Sequence, residues 1–451
     1  MNDTMVHLQS AALDPTQNGE AAWRSWLPSV GLFLFIYIIS YVDRQILSIV
    51  VGPLKASLGV SDFQVGLLQG FAFSLVLAVA AVLTAPLVDR GNRVRVISIC
   101  MLIWCMMTIW CGFASNFVTL LVARTGLALA EAVVPMAVLS IICDIAPRTS
   151  VPRAAALFMA APYCGSGIAL LLGGPLLATL GRYEGVIVPL VGPFEPWRGL
   201  FFALGAPGLV LAVLLLVVLR EPQRRDDFAL HEQRESVVPF LRANTKFLAY
   251  LLPFTAMIVL VSYTIYAWMP TYMIRTHGIA PAAAGITVGS IFVISGIGGC
   301  IFGSWIMSRS TGDLALSHVV RTMTRLSLCF GPLLLLMPLA PNAFIALVML
   351  AVGFFLMTSA LSSVMTPLPL FAPAHLRGRV TAFAGLCNAA VGGLGPMIVG
   401  AITDFIFRTP DRISYALTIT FSGAFLIMLV TGPHAAAIAA RIDQERDGIG
   451  D

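Results

Sequence analysis

Four charged residues stand inside long apolar stretches of this chain, where a charge is costly. Asp43 and Arg44 are adjacent in the first stretch, and Arg124 and Glu131 share the fourth. A charge inside a bilayer is usually paired, faces water or a protein interior, and marks a path for an ion or a substrate. Two acids and two arginines in one place could exchange protons and ion-pair partners.

Helical geometry predicts that the four charges lie at overlapping depths. Arg124 and Glu131 are nearly two helical turns apart, so they share one face of their helix. At a rise of about 1.5 Å per residue, Asp43 and Arg44 lie roughly 12–14 Å below the outer surface. The same reckoning puts Arg124 at roughly 10 Å and Glu131 at roughly 21 Å. The two acids and two arginines are therefore expected to face one another.

A proton switch is the function that these residue types favour. Burial favours the neutral form of a carboxyl group and a nearby arginine favours the charged form, so the group can change state when its arginine moves. We predict that Glu131 is the main proton carrier and Asp43 a second one. Arg44 and Arg124 are then gating partners that could also bind an anionic head group, with Arg124 released when Glu131 is protonated. The alternative is a neutral cluster that only fixes packing, although desolvation makes such clusters weak sources of stability.

The elements that carry these residues are predicted to be membrane helices. Of the 451 residues, 58% are hydrophobic and only 11% are charged, whereas soluble domains average about 25% charged residues. A helix needs roughly 20 apolar residues to cross a bilayer. Twelve such segments are predicted, at 27–52, 63–87, 94–114, 117–142, 154–180, 199–219, 247–273, 283–308, 319–340, 343–367, 380–406 and 413–433.

The loops predict the orientation of these segments. Most of the 27 Lys and Arg residues lie in the tails and in the loops on the same side as the N-terminus, and such loops are cytoplasmic by the positive-inside rule. Both termini are therefore expected in the cytoplasm. The polar N-terminal region lacks a signal-peptide pattern. We expect a multi-pass protein of a bacterial inner membrane.

An internal repeat divides the chain into two halves. Gly66 and Gly70 in segment two match Gly285 and Gly289 in segment eight, and the loop after each pair is in register as well. Two parallel six-helix halves are the architecture of major facilitator transporters. The predicted regions are a cytoplasmic tail at 1–25, a first bundle at 26–219, a cytoplasmic linker at 220–246, a second bundle at 247–433 and a cytoplasmic tail at 434–451.

The loop after segment two carries a family resemblance. The run Ala85-Pro-Leu-Val-Asp89-Arg90-Gly-Asn-Arg93 resembles the Gly-x-Leu-x-Asp-Arg-x-Gly-Arg signature of the major facilitator superfamily, with Ala85 in place of the first glycine. In that superfamily the cluster holds the cytoplasmic side shut in the outward-facing state. The resemblance implies a latch of Asp89, Arg90, Arg93 and Asp144, in which Arg90 or Arg93 pairs with Asp144.

Three further runs resemble the bacterial branch of the spinster family. They are Ser-Tyr-Val-Asp-Arg-Gln-Ile-Leu-Ser at 40–48, Leu-Gly-Val-Ser-Asp at 58–62 and Ala-Arg-Thr-Gly-Leu-Ala-Leu-Ala-Glu-Ala at 123–132. The match is specific over residues 37–153 and reaches only the superfamily beyond, and Ala128 and Ala130 stand where that family has glycines. Animal relatives export sphingosine phosphate or lysophospholipids, so the resemblance implies a lipid-like amphiphile as substrate.

The second half supplies the predicted apolar side of a substrate cavity. It has no charge deep in its segments, but it carries tyrosines and small hydroxyl residues in segments seven and ten. Aromatic side chains from both halves would then face the tail of an amphiphile whose head meets the arginines. The predicted cavity residues are Tyr37, Tyr41, Tyr263, Tyr266, Ser359, Ser362 and Asn388.

Together these features predict an all-α membrane protein with the major facilitator fold and a proton-coupled, alternating-access transport function. The alternative is a proton-coupled symporter of a small organic anion. An enzyme is not expected, because the histidines are peripheral and no metal-ligand spacing occurs, and a receptor or scaffold would not need the charge cluster. We expect no cofactor beyond the proton gradient and no nucleic acid. The expected partners are the substrate, protons and membrane lipids, and the protein is expected to act as a monomer.

Overall fold

The computed structural model describes residues 15–188, 192–219, 221–224, 237–309 and 315–447. Within these residues, 12 helical spans are long and apolar enough to cross a membrane, which confirms the number of segments predicted from hydropathy. Parts of the predicted linker and of both predicted tails lie outside the described residues. The described part of the C-terminal tail continues the last membrane helix as far as Asp447.

Helices account for nearly all of the described structure. Two short strands, β1 (Ile187–Val188) and β2 (Gly192–Pro193), form an antiparallel pair between α9 and α10. The α-helices are α1 (Pro15–Gln45), α2 (Val51–Leu58), α3 (Asp62–Gln69), α4 (Phe71–Arg90), α5 (Arg93–Gly112), α6 (Phe117–Glu131), α7 (Val133–Ile145), α8 (Val151–Phe158), α9 (Ala161–Leu180), α10 (Pro196–Val218), α11 (Val237–Ala243), α12 (Thr245–His277), α13 (Pro281–Ser308), α14 (Leu316–Leu336), α15 (Ala343–Leu361), α16 (Pro367–Phe371), α17 (Arg377–Ala401) and α18 (Ile413–Asp447). Single turns of 3₁₀-helix lie at Ile46–Ser48, Gly181–Tyr183, Met337–Leu339, Ala374–Leu376 and Pro410–Arg412, and a π-helix lies at Ile402–Phe407.

Polar side chains fix where several helices begin. The side-chain oxygens of Asn92, Asn116 and Asn342 each accept a bond from the backbone N–H three residues on, at 2.8–2.9 Å. Ser61 and Gln64 form a reciprocal capping box at the start of α3. These contacts satisfy N–H groups that a helix leaves without an internal partner. These caps therefore mark where α5, α6, α15 and α3 begin.

Glycine pairs bring the two halves together in a pseudo-symmetric way. Gly66 of α3 and Gly70, between α3 and α4, lie against the Pro396 and Gly393 carbonyls of α17, and Gly285 and Gly289 of α13 lie against carbonyls of α9. A β-carbon on Gly66 would stand only 2.3 Å from the Pro396 oxygen. Small residues let helix backbones approach this closely. The glycine pairs that repeat in the sequence thus lie at two matching contacts between the halves.

These glycine contacts lie towards one end of the bundle. They involve the first part of the membrane span Asp62–Arg90, the beginning of α13, the middle of α9 and the later part of α17, nearer the end opposite to the one where α1 begins and α18 ends. The two halves are in close contact at this end, which we call the closed end. The charged residues lie further from the closed end, next to the ends of α1 and α6 in the first half.

Candidate functional site

Arg44 and Glu131 form the central ion pair of the site. Arg44 Nε donates to Glu131 Oε2 at 2.6 Å. Glu131 is the last residue of α6 and is fully buried. The side chain of Arg44 remains 17% exposed. One cation therefore has contact both with a buried acid and with open space.

Arg124 plays a different part, because it holds the backbone of α1. Its Nη1 donates to the Asp43 carbonyl at 3.0 Å and its Nη2 to the Arg44 carbonyl at 3.2 Å. The helix α1 ends at Gln45, inside the apolar span, so its last carbonyls lack helical partners. A cation at a helix C-terminus satisfies these groups and favours the helix dipole. Arg124 thus fixes the position of the two charged residues before the break.

Asp43 is buried on the other side of α1. Its Oδ2 accepts a bond from Thr108 Oγ1 of α5 at 3.2 Å, and only 1% of Asp43 is exposed. Among the described residues, no ion pair within 4.0 Å involves this carboxylate. The two acids therefore have different partners: Glu131 of α6 bonds an arginine, and Asp43 of α1 bonds a hydroxyl group.

The sequence predicted that Arg124 would be the partner that Glu131 releases, but the structure pairs Glu131 with Arg44. The reason is geometric. Arg124 and Glu131 share a helix face at a separation of about 10 Å along the axis, whereas Arg44 reaches across from α1. The four charges lie together, and their pairing depends on the position of the end of α1 relative to α6.

Arg44 also borders a cavity between the halves. The cavity has a volume of about 240 Å³. From Gln45 and Gln69 it extends away from the closed end towards Leu77 and Leu361. Its lining consists of Tyr41, Arg44, Gln45, Gln69, Phe73, Ser74, Leu77, Arg124, Pro162, Tyr163, Ser166, Ser262, Tyr263, Tyr266, Ala267 and Leu361.

Aromatic rings hold the cationic end of this cavity. The Arg44 guanidinium carbon lies 4.6 Å from the Tyr41 ring centre and 5.1 Å from that of Phe73, and Arg124 lies 5.3 Å from Phe73. Cation–π contacts of this kind favour a guanidinium group that has lost most of its water. The Phe73 ring therefore contacts both arginines.

Three of the predicted cavity residues lie in the lining and four do not. Tyr41, Tyr263 and Tyr266 face the cavity. Tyr37 stacks on Phe158 at 4.7 Å instead. The other three are engaged in helix contacts: Ser359 and Ser362 donate to backbone carbonyls of Phe355 and Ser359, and Asn388 accepts a bond from Thr255 at 3.1 Å.

Comparison with known proteins identifies the family. The model of the Major Facilitator Superfamily matches residues 33–396. This chain belongs to the major facilitator superfamily. Its members are transporters and not enzymes.

Relatives within the superfamily have several functions. An MFS-type efflux pump of Mycolicibacterium smegmatis is 28% identical over 90% of this chain and 89% of the relative. A probable L-galactonate transporter of Escherichia coli K12 is 22% identical over 89% of this chain and 88% of the relative. Both alignments therefore cover most of each chain.

Solved structures agree with the fold. The crystal structure of a bacterial homolog to human lysosomal transporter, Spinster, in inward-facing and occupied conformation superposes with a TM-score of 0.76 at 24% identity, over 92% of this chain and 96% of that one. A D-xylose–proton symporter gives a TM-score of 0.61 at 16% identity, over 90% and 98%. The resemblance predicted from the sequence is confirmed at the level of the superfamily and of the spinster-like fold.

The signature loop of the superfamily is built around Arg93 in this chain. Arg93 donates to Asp144 Oδ2 at 2.5 Å, to Glu221 Oε1 at 2.7 Å and to Ser140 Oγ at 2.9 Å. Asp89 and Arg90 are exposed instead. Of the two partners that the sequence allowed for Asp144, the structure selects Arg93. The partners of Arg93 all belong to the first half or to the segment directly after it. In this conformation the Arg93 cluster therefore stabilises the first half.

A motif that the sequence analysis missed repeats at the end of each half. In the first half, Glu221 accepts a bond from the Val94 N–H and Arg224 donates to the carbonyls of Val88, Asp89 and Gly91. In the second half, Asp443 accepts from the Ser317 N–H at 2.8 Å and Arg446 donates to the Leu370 and Phe371 carbonyls at 3.1 and 3.0 Å. Both are acid-x-x-Arg runs near the end of a half: the first follows α10, and the second lies in the last turns of α18. Comparing the two ends could have revealed this motif.

Proposed function

We propose that this transporter is proton-coupled, works by alternating access and moves an amphiphilic substrate of the lysolipid or sphingoid type. The proposal rests on one observation: Arg44 contacts both a buried acid and the cavity. The residue bonds Glu131 at 2.6 Å while 17% of its side chain faces the cavity. An anionic head group in the cavity and the Glu131 carboxylate are therefore competitors for the same guanidinium group.

This competition supplies the coupling. When a head group draws Arg44 away, Glu131 is left as a buried acid without its arginine partner. An uncompensated buried charge is strongly unfavourable, and a carboxyl group avoids it by binding a proton. Substrate binding and protonation of Glu131 therefore favour each other. Loss of the proton restores the ion pair and expels the head group.

Asp43 and Arg124 support this exchange in different ways. Arg124 bonds the carbonyls of Asp43 and Arg44, so it keeps the end of α1 in place while Arg44 changes partner. Asp43, whose bond comes from the Thr108 hydroxyl, is the second proton carrier in this proposal. Protons that reach Glu131 would pass through the same buried cluster.

The cavity walls support an amphiphile. Arg44, Arg124, Gln45 and Gln69 form a polar end, whereas Leu77, Pro162 and Leu361 with the tyrosine rings form an apolar surface. A head group at the arginines would place its tail towards Leu361. Amphiphilic ligands suit such a site because apolar contacts give affinity and a few polar groups fix the orientation.

A small organic anion is the second candidate substrate. The volume of about 240 Å³ lies below the roughly 300–1,000 Å³ of most ligand pockets, so a compact anion would fill it. The similarity to a probable L-galactonate transporter supports the same idea. Both candidates use Arg44, and they differ in whether an apolar tail adds affinity.

Glu131→Gln tests the coupling. In proteoliposomes with an imposed pH gradient, the variant is expected to bind substrate with an affinity that no longer depends on pH, and to lose gradient-driven accumulation. Binding of a lysolipid and of a sugar acid, each measured at two pH values, identifies the substrate class. Gradient-driven flux that survives unchanged in Glu131→Gln would reject the proton role of this residue.

A further inference from the structure

Gln45 joins the charged end of α1 to the opposite half of the transporter. Its Nε2 donates to the Tyr266 carbonyl of α12 at 2.6 Å and to Ser48 Oγ at 2.8 Å. Only 6% of Gln45 is exposed. Gln45 directly follows Arg44, so this bond lies one residue from the central ion pair.

The Tyr266 carbonyl is available because of a proline. In an α-helix a carbonyl accepts from the N–H four residues on, and four residues after Tyr266 stands Pro270, which has no N–H. A backbone carbonyl within a membrane needs a partner from elsewhere in the protein. Gln45 supplies that partner from the other half.

A second bond joins the same two segments. Thr271 Oγ1 of α12 donates to the Ser48 carbonyl at 3.3 Å, and Ser48 Oγ donates back to the Gln45 carbonyl at 2.8 Å. The turn after the break in α1 is therefore held against α12 near the closed end. Because Arg124 bonds the Arg44 carbonyl, the backbone is also held on the other side of Gln45.

We propose that Gln45 is the gating residue between the halves: its bond to the Tyr266 carbonyl stabilises the closed end, and its release accompanies opening of that end. Gln45 and Tyr266 both line the cavity, so opening leaves an amide donor and a carbonyl acceptor facing the transport path. The gate depends on alternating access by a major facilitator and is independent of proton coupling and substrate class.

The test is amide hydrogen exchange of the full-length protein in lipid nanodiscs, without substrate or pH gradient. Gln45→Leu is expected to speed exchange at 61–70 and 393–403, which meet at the closed end, by roughly fivefold, the factor for one lost hydrogen bond of about 1 kcal/mol. Gln69→Leu is the matched control, because Gln69 lines the same cavity and its Nε2 has no hydrogen-bond partner among the described residues. Exchange at 93–112 serves as the check on folding and is expected to be unchanged.

Pro270→Ala completes the test. Alanine returns the N–H to the Tyr266 carbonyl, so the gate bond weakens and exchange at the closed end is expected to rise even with Gln45 present. In that background, Gln45→Leu should change exchange by less than about twofold, since the two changes act on one contact. Equal effects of Gln45→Leu and Gln69→Leu, additive effects with Pro270→Ala, or no rise in Pro270→Ala alone would overturn the proposal.

Discussion

Asp62 of α3 and Arg275 of α12 form a two-point ion pair between the halves. Arg275 Nη1 donates to Asp62 Oδ2 at 2.8 Å and Nη2 to Oδ1 at 3.0 Å, and Lys55 Nζ adds a contact of 2.5 Å. The next residue, Phe63, donates its N–H to Asp404 Oδ2 at 2.6 Å, again from the other half. The start of α3 is therefore where charge holds the closed end together.

We predict that Asp62→Asn shifts the transporter towards opening at that end. Asp62 is fully buried, whereas Arg275 and Lys55 are partly exposed, so the loss should be about 1–3 kcal/mol, below the range for fully buried pairs. Amide exchange at 61–70 and the melting temperature measure the effect. Asp411→Asn, at an exposed acid near the same end, should leave both unchanged.

Gly66→Ala should act on the same interface by crowding. The added β-carbon would stand 2.3 Å from the Pro396 oxygen, which forces α3 and α17 apart at a cost of about 1–3 kcal/mol. Thermal unfolding is expected to start at lower temperature and exchange at the closed end to rise. Gly423→Ala meets no atom within 4 Å, and an equal effect there would contradict the packing argument.

Thr108→Val tests the partner of Asp43. Valine keeps the shape but removes the hydroxyl that donates to Asp43 Oδ2. A buried carboxylate that loses its donor should cost about 1–3 kcal/mol. We expect a lower melting temperature and slower gradient-driven flux. Thr125→Val is the control, because the Thr125 hydroxyl bonds only carbonyls of its own helix; matching losses in the two variants would refute a specific role.

Arg93→Gln and Arg90→Gln should separate the buried residue from its exposed neighbour. Arg93 bonds two acids and is 2% exposed, while Arg90 is exposed. Removing Arg93 leaves Asp144 and Glu221 without their shared cation. Because Glu221 is partly exposed, the loss should be about 1–3 kcal/mol, below the range for fully buried pairs. The melting temperature in detergent should fall for Arg93→Gln and stay near wild type for Arg90→Gln. The reverse order would show that Arg90 is the structural residue.

Much of the fold was predictable because hydropathy and repetition are local properties of the chain. Apolar runs of the length of a bilayer gave twelve spans, and the matched pairs Gly66/Gly70 and Gly285/Gly289 gave the two halves. The lining of the cavity was predictable only in part. Tyr263 and Tyr266 line the cavity, whereas Tyr37 and Asn388 have turned towards helix contacts, since helical rotation cannot be read from residue type alone.

The sequence by itself determined that Asp43, Arg44, Arg124 and Glu131 are costly charges in two membrane helices, because the cost depends only on residue type and depth. Only the tertiary structure decided their partners. Arg44 bonds Glu131 and Arg124 bonds the backbone of α1, because these contacts depend on the break in α1 and on the position of its end relative to α6. The same holds for Gln45, whose acceptor exists because Pro270, more than 200 residues away, lacks an N–H.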